Sequence, residues 1–321
     1  MANSQLRAGL IGYTGFVGGQ LMQQREFSHL YNSRSINKLA GQDLDLLVCA
    51  GAPAVMWAAN KDSKGDWANL STIVDAVSKA RIKTLVLISS IAVFDDMAAG
   101  YTEGFAKFET VSAYGRNRRR LELELENYCE RIVILRLPAL FGSGLKKNFL
   151  FDIANPVPSY LTKDKHDYFI SEATEAERAA AGTLFRWNDN LGMFAFDRTE
   201  AAQDGLGKLV EKAIIRGGME SVLFTNSESQ FQFYNVARLW QDINTALLNN
   251  LHTVNFGSPP FRAADVHHAL TGRPFENKGP KCIMQDIRSE FASIYQGNPP
   301  YMSDYASTMS DLIEFHLNNK S

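Results

Sequence analysis

Leu10-Ile11-Gly12-Tyr13-Thr14-Gly15-Phe16-Val17-Gly18-Gly19 is the stretch that decides the fold. An apolar run stops at Gly12, glycines recur at a spacing of three, and a helix-forming segment, 19–26, follows. Strand, tight glycine turn and helix in that order make the first βα unit of a dinucleotide-binding domain. Glycines remove the Cβ atoms that would hold a pyrophosphate off the backbone, and a helix start offers it free N–H groups. Gly12, Tyr13, Thr14, Gly15, Phe16, Val17 and Gly18 are therefore candidate cofactor contacts. The spacing is G-x-x-G-x-x-G rather than G-x-G-x-x-G, so the turn alone also fits a βα turn that holds no ligand.

Outward from the turn, apolar strands and helices alternate. Segment 45–52 reads as a strand buried on both faces, and it ends in Ala50, Gly51 and Ala52. Small residues there leave space where open α/β sheets bind ligands. A helix is expected over 66–79, with Trp67, Leu70, Val74 and Val77 on one face, and another buried strand over 84–90, ending on Ser89 and Ser90. Segment 108–130 contains Leu121-Glu122-Leu123-Glu124-Leu125-Glu126, which alternates like a strand. It is nevertheless long and rich in helix formers, and Leu121, Leu125 and Tyr128 share a helical face, so a helix is expected. A strand over 131–137 is closed by Pro138. This order predicts an α/β chain, a Rossmann-type doubly wound parallel sheet with a smaller substrate-binding domain. The dinucleotide-binding domain is expected over 1–145, with 228–250 returning to it. Residues 146–321 otherwise form the substrate domain, with an alanine-rich helix near 171–181.

An acidic residue about 20 positions past the first glycine ordinarily binds the adenosine ribose in such a domain. That position holds Asn32, followed by Ser33 and Arg34. Arg34 could pair with a 2′-phosphate that a carboxylate would repel, so NADP is expected over NAD; a solvated loop cation is the other reading. Composition excludes several function classes. The 321 residues are 45% hydrophobic and 21% charged, as in an ordinary globular protein. A net charge of −2 gives no basic field for nucleic acid, and no apolar run would span a bilayer. Residues 1–7 lead straight into the first strand, without room for a signal peptide. Three scattered cysteines and six scattered histidines form no metal or disulfide pattern, so a reduced, cytoplasmic protein without a metal is expected.

Several motifs in order resemble the extended branch of the short-chain dehydrogenase/reductase family, which includes nucleotide-sugar epimerases and dehydratases. They are the glycine turn, Ile88-Ser89-Ser90-Ile91-Ala92-Val93-Phe94, Ser112-Ala113-Tyr114-Gly115, and Leu135-Arg136-Leu137-Pro138-Ala139-Leu140-Phe141-Gly142. The resemblance implies that Ser90 bonds the substrate oxygen and that Tyr114 exchanges the proton. It adds Pro138 to the cofactor contacts and Asn148, after Gly142-Ser143-Gly144-Leu145-Lys146-Lys147, as a substrate contact. It also makes Asn69 a structural asparagine and suggests a homodimer through the helices near 66–79 and 105–129, where Leu123 adds apolar surface. One position departs from the pattern: Arg118 stands where the family has a lysine that contacts the nicotinamide ribose and lowers the tyrosine pKa.

Arg118 lies one helical turn after Tyr114, so the two face the same way. A cation ~4 Å away at an effective dielectric of ~20 contributes about 4 kcal/mol, enough to bring a phenol down by roughly three pH units from ~10. Arg118 would keep that charge without the compact geometry of an ammonium. The plainer reading pairs Arg118 with Glu122 at i+4, or leaves it in the basic cluster Arg116, Arg118, Arg119, Arg120. The expected function is an NAD(P)-dependent epimerase, dehydratase or reductase of a nucleotide-activated sugar. A cofactor-binding protein with weak or no catalysis, and a reductase of a non-sugar carbonyl, are the alternatives.

Overall fold

In the computed structural model, which describes residues 6–189, 191–203 and 205–319, the chain divides into two compact units. The first comprises Met1–Leu145, Gln230–Phe261 and Met284–Phe315; the second comprises Lys146–Ser229, Arg262–Ile283 and His316–Ser321. Residues 251–261 and 284–315 thus lie in the first unit, not in the smaller domain where the sequence reading put them. The cause is long-range: strand Thr253–Asn255 pairs with the sheet, and Phe256, Ala292, Tyr295 and Met302 complete its core.

The elements of the first unit run β1 (Ala8–Ile11), α1 (Phe16–Gln24), β2 (His29–Tyr31), β3 (Asp43–Cys49), α2 (Met56–Lys61), α3 (Ser63–Val77), β4 (Arg81–Ser90), α4 (Ala113–Leu125) and β5 (Arg131–Leu137). Six parallel strands lie in the order Thr253–Asn255, β5, β4, β3, β1, β2. Successive side chains point to opposite faces, and here both faces are covered. Leu10, Val48, Val86 and Val133 pack with Leu21 of α1 and with Leu239 and Ile243 of helix Leu239–Leu248. Ile11, Leu47, Leu85 and Ile134 pack with Leu70 and Val74 of α3 and Leu121 and Leu125 of α4. That double burial is why the strands read as continuous apolar runs. The chain leaves β1 for β2 on one side and crosses to β3 on the other, so the carboxyl ends of β1 and β3 form the switch point where such sheets bind ligands.

Several boundaries differ from expectation. The 66–79 helix starts at Ser63, because the Asp62 carboxylate caps it by accepting from Gly65 N at 2.9 Å. The short α2 before it carried no periodic signal. The helix expected within 108–130 is α4 with a 3-10 turn, Glu126–Tyr128, after it, and Tyr128 is exposed rather than on the core face. In the second unit, the helix expected near 171–181 is two helices, Lys163–Glu172 and Glu175–Leu184. Thr174 and Glu177 form a capping box that starts the second. These helices and Leu206–Arg216 pack on a three-stranded antiparallel sheet, Tyr160–Leu161, Met193–Phe196 and Phe185–Asn188.

Candidate active site

The glycine turn is built for close approach. Gly12 N donates to Tyr31 O at 2.8 Å, and Gly15 N donates to Gly12 O at 3.0 Å, which turns the chain into α1. Gly12 has φ +87°, and a Cβ on it would meet Ala50 O at 2.5 Å. A Cβ on Gly18 would lie 2.1 Å from Gly12 O, so only glycine lets α1 seat against the turn. Thr14 and Gly15 are exposed, Tyr13, Phe16 and Val17 half-buried, and Ala50, Gly51 and Ala52 line the neighbouring end of β3. Asn32 ends β2. Its Nδ2 donates to Tyr13 Oη at 3.1 Å, and its Oδ1 accepts from Arg34 N at 3.0 Å and Ser35 Oγ at 3.2 Å. Asn32 therefore shapes the turn that carries exposed Ser33 and Arg34. Pro138 is buried directly after β5.

The consecutive serines at the end of β4 point to opposite faces. Ser89 Oγ donates to Glu122 Oε1 at 2.6 Å inside the protein. Ser90 Oγ accepts from Ala92 N at 3.2 Å, and Ser90 is close enough to the Tyr114 phenol to pull its pKa down. Tyr114 opens α4, and two contacts fix it there. Asn60 Oδ1, from α2, accepts from Tyr114 N at 2.9 Å and Ser112 Oγ at 3.0 Å. Gly115 lets α4 touch the turn after β4, because a Cβ there would meet Ala92 O at 2.0 Å. Asn60 holds this helix start; Asn69, the asparagine singled out from sequence, is exposed on α3.

Arg118 does not pair with Glu122. It is 3% exposed, its Nη1 bonds Asp66 Oδ2 at 2.5 Å and Tyr114 O at 3.3 Å, and its Nη2 bonds Pro53 O. Its guanidinium carbon lies 3.9 Å from the centre of the Tyr114 ring. Asp66 was missed because nothing in its spacing links it to position 118. The basic cluster resolves into four destinations. Arg116 bonds Ser63 Oγ, Arg118 bonds Asp66, Arg119 bonds Glu122, and Arg120 covers the Trp67 ring. Burial pushes the Tyr114 phenol above its ordinary value; Arg118 and Ser90 pull it down, and Asp66 pushes it up. The net direction is upward, opposite to that expected from Arg118 alone, because desolvation outweighs the cation.

Glu122, fully buried, also binds Arg136 of β5, through Nε at 3.0 Å and Nη2 at 2.8 Å. It thereby joins β4, α4 and β5 below the serines. In the second unit, Asn148 has φ 105° and caps helix Phe149–Ala154, its Oδ1 accepting from Leu150 N at 3.0 Å and Phe151 N at 3.3 Å. On that helix Asp152 is pushed up to about 7 by burial, which the Arg198 charge only partly offsets. No described helix is long and apolar enough to cross a membrane.

The profile of the RmlD substrate binding domain matches residues 12–170. No curated protein matches the sequence directly. The solved structures that share the fold include the following three. A UDP-N-acetylglucosamine 4-epimerase from Methanobrevibacter ruminantium, in complex with UDP-N-acetylmuramic acid, is 13% identical with a TM-score of 0.63, over 98% of this chain and 97% of that one. A dTDP-4-dehydrorhamnose reductase from Bacillus anthracis in complex with NADP is 11% identical with a TM-score of 0.60, over 99% and 100%. MoeE5 in complex with UDP-glucose and NAD is 13% identical with a TM-score of 0.59, over 98% and 99%. The matched profile covers just under half of the chain, and the likeness to these solved structures is one of fold.

Proposed function

We propose that this protein binds a nicotinamide dinucleotide and acts on a nucleotide-activated sugar as an epimerase, dehydratase or reductase. The observation that carries the reading is Tyr114, buried beneath the Arg118 guanidinium and beside Ser90, in the same unit as the glycine turn. The cradle fits the cofactor: a side chain on Gly12 or Gly18 has no room, and Ala50, Gly51 and Ala52 present little bulk beside it. Gly12 to Gly18, Ala50 to Ala52 and Pro138 would hold the dinucleotide, with Asn32 and Ser33 at its adenosine end. Bound there, the nicotinamide would supply hydride chemistry. Ser90 would hold the substrate oxygen, Tyr114 would exchange the proton at its Oη, and Arg118 would bias that proton electrostatically. Asn148 is the candidate substrate contact of the second unit.

NADP is favoured over NAD because Arg34 is exposed and the position of the usual ribose-binding acid holds an amide. A homodimer through α3 and α4 is supported by Leu123, 47% exposed on α4; a cytoplasmic location completes the reading. One observation favours the alternative of a cofactor-binding protein with weak catalysis: Arg118 is committed to Asp66 and Pro53. Native mass spectrometry of freshly purified protein tests the proposal. Retained NADP or NAD, with a mass shift on adding UDP-glucose or another nucleotide sugar, is the expected result. Protein that neither retains nor takes up either dinucleotide would overturn it.

A further inference from the structure

Asp66 stands outside every motif discussed so far, yet its side chain is 5% exposed and pairs with the cation that covers the Tyr114 ring. A single oxygen, Oδ2, receives both Arg118 Nη1 and Asn117 Nδ2, the latter at 2.9 Å. Asn117 is itself fixed by donating to Ser63 O at 3.1 Å, so the carboxylate is held from two sides. Arg118 spends its other terminal nitrogen on Pro53 O, in the loop that follows Ala50, Gly51 and Ala52. Its Nε is buried with no partner among the described residues. The planar fork thus lies against the ring face of the tyrosine, and that orientation is set by Asp66 and Pro53.

We propose that Asp66 is a positioning residue: by pairing with Arg118 it pins the guanidinium on the face of the Tyr114 ring and offsets part of its charge. The inference rests on the reading of Tyr114 as the acid/base group. The charged groups that act on the phenol are Arg118 from its own helix and Asp66 from α3; β4 contributes the neutral Ser90. Asp66 opposes Arg118, so removing its charge leaves the cation unopposed. A lysine at 118 would be a compact point charge with no fork to pin, which makes the arrangement specific to arginine.

The experiment is an NMR titration of the full protein carrying 13Cζ-labelled tyrosine, with the Tyr114 signal assigned by its absence in Tyr114→Phe. In Asp66→Asn the Tyr114 midpoint should move to lower pH than in the unmodified protein, and Asp66→Glu should restore it. A midpoint in Asp66→Asn equal to or above that of the unmodified protein overturns the proposal. Should Asp66→Asn not fold, Asp66→Asn combined with Arg118→Met removes both buried charges. Its midpoint should lie below that of Arg118→Met alone, where Asp66 acts unopposed, and the reverse order overturns the proposal. The titration needs no turnover. Failure to convert any nucleotide sugar would strike the functional reading while leaving the test of Asp66 intact.

Discussion

Two buried arginine–carboxylate pairs meet on α4, near the serine step at the end of β4, and they are built differently. Glu122 uses both oxygens and takes four donors: Ser89 Oγ, Arg119 Nη1, and Arg136 Nε and Nη2. Asp66 takes two donors on one oxygen, Asn117 Nδ2 and Arg118 Nη1, and the Nε of that guanidinium is buried with no partner among the described residues. The saturated pair is fixed in one geometry and joins β4, α4 and β5. The unsaturated pair leaves part of its field on Tyr114. One pair therefore serves the fold, and the other sets the chemistry of a side chain.

The difference can be broken by removing one member of each pair. Glu122→Leu should have the largest effect on stability, because it strands Arg136 in the interior. Breaking a buried pair in this way costs about 3–5 kcal/mol, read as a lower urea midpoint. Arg118→Met should cost less, ~1–3 kcal/mol, since Asp66 keeps Asn117 as a donor. It should also shift the Tyr114 titration, which Glu122→Leu should not. Equal losses from the two variants, with no effect on Tyr114 from either, would erase the distinction.

Asp152 extends the comparison to a carboxylate with less compensation still, and its effect should be the smallest because it is only partly buried. Its ordinary value is 3.8 and burial raises it to about 7. Between those values the folded state holds a proton that the unfolded state has lost. Stability should therefore fall as pH rises from ~4 to ~7 and level off above. Asp152→Asn should flatten that part of the urea midpoint-versus-pH curve.

Much of the first unit is legible in sequence because burial on both sheet faces leaves continuous apolar runs, as in Leu46-Leu47-Val48-Cys49 and Ile132-Val133-Ile134-Leu135. Ser90, Tyr114 and Arg118 are singled out together by the family resemblance, with Ser90 at a strand end and Tyr114 and Arg118 one turn apart on one helix. What makes the tyrosine's surroundings is not. Asp66 reads only as an acid in the first turn of a helix, and no periodicity ties it to a residue 52 positions on. Glu122 sits in an alternating Leu-Glu run that suggests a solvated face, yet helix geometry turns it inward beside Leu121 and Leu125. Asn60 lies in a six-residue helix too short to show a hydrophobic face. Strand Thr253–Asn255 has three residues, and its place beside β5 depends on pairing across more than a hundred positions.

The most direct measurement compares Tyr114→Phe with the unmodified protein under single-turnover conditions. Nicotinamide absorbance is followed with UDP-glucose and related nucleotide sugars, and cofactor affinity is measured by calorimetry on the same samples. With Tyr114 as the proton-exchanging group, the unmodified protein shows hydride transfer to or from one of these sugars. The variant should then lose that transfer by about 10²–10⁴-fold while binding the cofactor nearly as well, since only a hydroxyl is removed. Undiminished transfer in Tyr114→Phe would contradict the assignment of Tyr114, and with it the role given to the Asp66–Arg118 pair in catalysis.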